Sequence, residues 1–114
     1  MNEKKFRTIH LYKAYFKNFF SIQNQKVKDK ILWTFRIIET QRLIPTEYLK
    51  HLTGTEGLYE IRVKRGSNIY RTFCFFDQGK IIVIINGFHK KTQKTPRSEI
   101  KRALKIKAEY EKGN

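Results

Sequence analysis

Apolar positions recur along the chain in two rhythms, and the changes of rhythm mark its elements. Phe6-Arg7-Thr8-Ile9-His10-Leu11 alternates and predicts a first strand. Tyr12, Tyr15, Phe16, Phe19 and Phe20 then fall at helical spacing, opposite Lys13, Lys17 and Asn18. This is a short amphipathic helix with an aromatic, core-facing side. Gln25 to about Leu43 carries the clearest helical pattern, with Val27, Ile31, Phe35 and Ile38 as its inner stripe. Ile44-Pro45 ends it, because a residue before proline is driven out of helical geometry. Trp33 and Ile37 lie on a different flank of this helix. Two readings are open for them: packing on the first helix or on Leu49 and Leu52, or an exposed strip for a protein partner, since tryptophan is favoured at interface hot spots.

Thr46 to Leu52 reads as a short turn or helix, and Thr53-Gly54-Thr55-Glu56-Gly57 as a loop. Two hairpins follow. Leu58–Lys64 and Ile69–Phe76 join across Arg65-Gly66-Ser67-Asn68, and the second of these strands joins Lys80–Phe88 across Asp77-Gln78-Gly79. A last helix runs from about Thr95 to Glu111, with Thr95 as N-cap and Pro96 at the first helical position. Its inward residues are Ile100, Ala103, Leu104 and Ala108. The order is β-α-α-β-β-β-α. It predicts one α+β domain over residues 1–114, an antiparallel sheet with helices packed on one face.

Charge changes the picture most. Twenty-five Lys and Arg oppose ten Asp and Glu, a net charge of +15. Folded domains this basic meet polyanions such as RNA or DNA. The chain is 39% hydrophobic, with nine Phe and six Tyr, enough for a core without staples. Cys74 is the one cysteine, so no intramolecular disulfide is available, and a reducing cytoplasm fits. No apolar run follows the charged start of the chain, and Lys80–Phe88 is too short to span a bilayer, so no membrane association is expected. His10, His51 and His89 are far apart and offer no metal-ligand spacing, so neither metal nor cofactor is expected.

Candidate chemistry gathers in two places. The first is Gly87-Phe88-His89-Lys90-Lys91-Thr92-Gln93-Lys94-Thr95-Pro96, which delivers a histidine and lysines to a strand end just before a helix N-terminus. Cations and free backbone N–H groups in one region suit a phosphodiester. The second is the alternation in Leu58–Lys64, which puts Glu60, Arg62 and Lys64 on one face. If Gly66-Ser67 is a two-residue turn, Arg62 falls directly opposite Arg71. Such a like-charge pair is destabilising unless it grips an anion or is neutralised by Glu60. Phe73, two residues along, is either core or a platform for a base.

A ribonuclease that uses the 2′-OH must remove its proton, stabilise extra charge on phosphorus and protonate the leaving oxygen. Arg62 and Arg71 suit the second task. His89 suits the first or third, and so does Lys90 or Lys91 if neighbouring cations depress its pKa. No Ser-His-Asp or Cys-His arrangement is legible, and the carboxylates are too few and scattered for a two-metal nuclease.

Together these residues resemble the HigB-like toxins of bacterial type II toxin–antitoxin systems, in the phage-derived branch of the RelE/ParE superfamily. The resemblance is carried by Leu58, Glu60 and Arg62, by Tyr70-Arg71, by Gly87, Phe88, Lys90, Lys91 and Thr92, and by Pro96, Glu99, Ile100 and Ala103. It implies a compact RelE-like (microbial RNase-like) fold. It also implies a cytoplasmic mRNA interferase, a metal-independent endoribonuclease that cuts ribosome-bound message and inhibits translation. The implied partners are a neutralising helix-turn-helix antitoxin, the ribosome and mRNA. Carried over by position, Arg62, Arg71, Lys90 and Lys91 fall on the RNA-contacting surface, whereas the family fills the position of His89 variably. The expected site is therefore Arg62, Arg71, Lys90 and His89 for catalysis, with Lys64, Phe73, Lys91, Lys94 and Lys101 binding RNA. The same superfamily holds ParE-type gyrase inhibitors, and a basic non-catalytic RNA- or DNA-binding domain is a further alternative.

Overall fold

The computed structural model describes residues 4–90 and 95–113. Eight elements follow in the order β1 (Thr8–Leu11), α1 (Tyr15–Ser21), α2 (Gln25–Thr40), β2 (Leu49–His51), β3 (Tyr59–Arg65), β4 (Asn68–Asp77), β5 (Ile81–Lys90) and α3 (Arg97–Gly113). The five strands form one sheet in the order β1-β5-β4-β3-β2. β1 runs parallel to β5 and every other pairing is antiparallel. The expected antiparallel sheet is thus a mixed one. β2 replaces the turn or helix expected over Thr46–Leu52. Three residues carry no readable period, and this strand exists because β3 offers a free edge to pair with.

The helices do not share one face of the sheet, as the sequence suggested; they cover both. On one side Phe16 of α1 and Val27, Ile31, Phe35 and Ile38 of α2 pack on Ile61, Val63, Tyr70, Cys74, Ile82 and Ile84. On the other, Ala103 and Ile106 of α3 pack on Leu58, Phe73, Phe75, Val83 and Ile85. A sheet buried on both faces needs apolar residues at consecutive positions, which is why the middle of β4 and β5 reads as a continuous apolar run. The aromatic residues of α1 and the turn before it divide accordingly. Phe16, Phe19 and Phe20 join the α2 side, while Tyr12 and Tyr15 join the α3 side. Within α3, Ile106 is buried where Ala108 had been expected inward; Ala108 is exposed.

Helix ends have local causes. The Asn24 side chain accepts from the Val27 N–H at 3.0 Å and caps α2. α2 stops at Thr40, short of Leu43, and the Arg7 guanidinium donates to the carbonyls of Ile38, Gln41 and Arg42 just there. α3 begins slightly later than expected, because the Pro96 carbonyl accepts the first bonds, from Glu99 and Ile100. At its far end α3 is clasped by polar contacts. Lys13 donates to Glu109 at 2.7 Å, and the Tyr110 hydroxyl donates to Asp77 at 2.6 Å. The Lys13 ammonium holds the Glu109 carboxyl below the usual carboxylate range. Burial pushes the Cys74 thiol well above its ordinary value, so this cysteine is an inert core residue.

α1 closes tightly on β5 at Gly87. A Cβ added there would sit 2.6 Å from Cδ2 of Phe19, inside van der Waals contact with a ring that is itself packed in the core. Gly87→Ala is expected to destabilise the protein by about 1–3 kcal/mol, the usual cost of overpacking. Urea denaturation measures this, and a variant as stable as the parent would show that the Phe19 ring yields freely.

Candidate nucleic-acid interface

The β3–β4 hairpin sets the geometry. Arg65 pairs with Asn68, leaving Gly66-Ser67 as a two-residue turn. Gly66 has φ 62°, whereas Ser67 does not have a positive φ, the pattern of a type II′ turn with glycine first. The register that follows puts Arg62 opposite Arg71 and Glu60 opposite Phe73, as the alternation implied.

What the two arginines do is unequal. Arg71 is buried, 4% exposed, and its guanidinium is bonded to the Glu60 carboxylate, itself 1% exposed. The expectation that Arg71 lies on the RNA-contacting surface is therefore corrected: both faces of β4 are covered, and a charge can sit there only because Glu60 meets it. Glu60 also accepts from the Thr95 hydroxyl at 2.7 Å and lies 4.0 Å from Nε of Arg62. Through Thr95 the start of α3 is tied to this carboxylate, where the helix N-terminus favours negative charge. Arg62 keeps a third of its side chain exposed and is the accessible cation of the pair. The like-charge pair is thus neutralised from one side and left open on the other.

Phe73 is fully buried and stacks on Phe88 at 5.3 Å between ring centroids. It is a core residue under α3, which corrects its reading as a base-stacking platform. Lys64 is exposed at the end of β3, and Lys101 is exposed on α3. Lys90 is the last residue of β5, paired with Ile69. Lys91 and Lys94 lie outside the described residues.

His89 is not brought to the arginines. The β4–β5 register slips by one residue between Thr72 and Cys74, so that Phe73 opposes both Ile85 and Asn86. A one-residue bulge exchanges the two faces of the strand beyond it. Before the bulge Val83 and Ile85 face α3; after it Phe88 does, and His89 is turned to the other side. There its ring stacks on Tyr70 at 4.6 Å, and Nε2 lies 3.2 Å from Oδ1 of Asn68. Its placement in the expected catalytic group is corrected: it occupies the α2 side of the sheet, away from Arg62. Asn86, at the bulge, is 1% exposed, and its side-chain amide makes no hydrogen bond.

One assembly the sequence reading missed lies around the free edge of β3. Lys26, Lys30 and Trp33 share one stripe of α2 and meet Arg65 across a groove of about 510 Å³. A second groove, of about 490 Å³, joins Lys30 to Arg62, Lys64 and Tyr48. The available signal was the spacing of Lys26, Lys30 and Trp33 at i, i+4 and i+7. A separate cavity of about 600 Å³ between β1, α1 and α2 has an apolar floor of Ile9, Leu11, Phe16 and Phe35 and belongs to a different surface. Among the described residues, no cluster of His, Cys, Asp or Glu converges to hold a metal ion, and no helix is long and apolar enough to cross a membrane.

Fold and surface together define a basic α+β domain with cations gathered along one sheet edge. The chain belongs to the phage-derived Gp49-like protein family (DUF891), which matches residues 18–108. This family is associated with the toxins of toxin–antitoxin systems, and membership suggests an antitoxin as partner. No curated protein matches the chain.

Proposed function

We propose that this protein is the toxin of a type II toxin–antitoxin pair of the HigB kind, and that it cleaves mRNA on the ribosome. The observation that carries the reading is the Glu60–Arg62–Arg71 arrangement, in which a buried ion pair anchors a strand that presents a second, accessible guanidinium. Attack of a 2′-oxygen on the adjacent phosphorus forms one P–O bond and breaks the bond to the 5′-oxygen. Negative charge accumulates on the non-bridging oxygens meanwhile. A guanidinium held in place before the reaction stabilises that charge without reorganising. Arg62 fills this role, with Lys90 at the end of β5, on the far side of β4. The net charge of +15 draws the domain to ribosomal RNA and message.

One observation favours the non-nuclease alternative, a gyrase inhibitor or a basic binding domain. His89, the histidine expected at the site, faces away from Arg62. Cleavage then relies on lysine and arginine, and His89→Ala should cut message at near the parental rate. The test is translation in vitro with primer extension on the message. Cuts that appear only in translated message, in the parent and in His89→Ala alike, are the expected result. An intact message alongside blocked DNA supercoiling would hand the function to the gyrase-inhibitor class.

A further inference from the structure

We infer that the groove running from Arg62 around the free edge of β3 to Trp33 is a second subsite, which binds single-stranded RNA beyond the cleaved linkage. This rests on the reading of the protein as an RNA-binding toxin and extends it to a surface on the opposite side of the sheet edge.

Trp33 is the chain's single tryptophan and is 42% exposed. A partly exposed indole offers a large flat apolar face with a polar edge, which suits a contact surface. Tyr48 meets it in a T-shaped contact, with ring centroids 5.7 Å apart and planes at 78°. The Lys30 ammonium lies 4.0 Å over the indole, on a flexible stem. It can turn to a phosphate while a base takes the ring face.

Continuity links this platform to the reaction site. Lys30 lines both grooves, and Arg62 and Lys64 line the second. β2 pairs with residues 59–61 of β3 and the Tyr48 carbonyl accepts from the Arg62 N–H at 2.9 Å, so the edge is free for a chain to pass only from Val63 onward. Five cations line the two grooves (Lys26, Lys30, Arg62, Lys64 and Arg65) against the carboxylates of Asp29 and Glu47. Asp29 is itself engaged by Gln25 at 2.8 Å. Cations alternating with an aromatic platform match a single strand, whose phosphates and unstacked bases alternate in the same way. A duplex would present no free base face to Trp33.

Because Trp33 is alone, its fluorescence reports on this groove and nowhere else. The probe is an oligouridine of about twelve nucleotides, within the ~4–16 that a single-strand-binding fold covers, with anisotropy of a labelled copy read in parallel. Quenching of Trp33 should track the anisotropy. Trp33→Ala should weaken binding by about 5- to 150-fold, and Lys30→Gln should lower the salt dependence of log K by about one phosphate contact. Circular dichroism of both variants checks the fold. If the oligouridine binds by anisotropy while Trp33 emission and Lys30→Gln binding stay unchanged, the subsite is wrong and the RNA reading survives. No anisotropy change even at low salt would remove both. An emission change produced by the antitoxin but not by RNA would make this a protein interface and overturn the inference.

Discussion

Arg71→Ala should lower the stability of the protein by about 3–5 kcal/mol, because it leaves the Glu60 carboxylate buried without its partner. Glu60 and Arg71 are 1% and 4% exposed, so water cannot take the place of the lost guanidinium. Against the ~5–15 kcal/mol that holds a typical domain together, this is a large share. Loss of toxicity in this variant therefore reports folding as much as chemistry. Removing both charges is a different experiment. Glu60→Leu combined with Arg71→Met replaces the pair with apolar groups of similar volume, and such replacements are often neutral or stabilising. The paired change should recover most of the lost stability in urea denaturation. A single Arg71→Ala variant within about 0.5 kcal/mol of the parent, the scatter of ordinary surface changes, would show that the pair is not buried as described.

Arg62→Ala should have the opposite profile. Its side chain is one-third exposed and stands beside Glu60 at 4.0 Å, while Arg71 keeps that carboxylate satisfied. The fold should stand, with an unchanged denaturation midpoint. Cleavage of translated message should fall about 10²- to 10³-fold, the typical loss when one preorganised charge-stabilising donor is removed. Arg62→Lys should recover only part of this, because a lysine keeps the charge but not the planar fork that meets two phosphate oxygens. A folded Arg62→Ala protein that cleaves at the parental rate would remove the accessible guanidinium from the mechanism. The two arginines, opposite each other in the sheet, would thus separate into an anchor and a working group.

Their pairing was legible before the structure. Alternation in Tyr59–Arg65, the short Gly66-Ser67 turn and the apolar run of β5 together determine the hairpins and place Arg62 across from Arg71. The inner stripe of α2 follows from its 3.6-residue period, and the expectation of a polyanionic partner follows from charge alone. These are local properties, set by spacing along the chain. The burial of Arg71 is not local. Alternation states which residues share a face of a strand, but not whether a helix covers that face. α3 comes to lie over the Arg71 side only through its packing on Leu58, Phe73 and Phe75. The side taken by His89 depends on one inserted residue at Ile85-Asn86. Asn86-Gly87 interrupting an apolar strand hints at such a bulge, but only the pairing with β4 shows that the faces exchange there. The Trp33 groove arises because β2 is too short to cover the edge of β3, which leaves α2 and the β3–β4 hairpin facing each other across open surface. Spacing along the chain determined every element but β2, the register of the β3–β4 hairpin and the charge. Coverage, the exchange of faces at the bulge and the grooves at the sheet edge were decided by the tertiary structure, because each depends on which distant segments come to lie against one another.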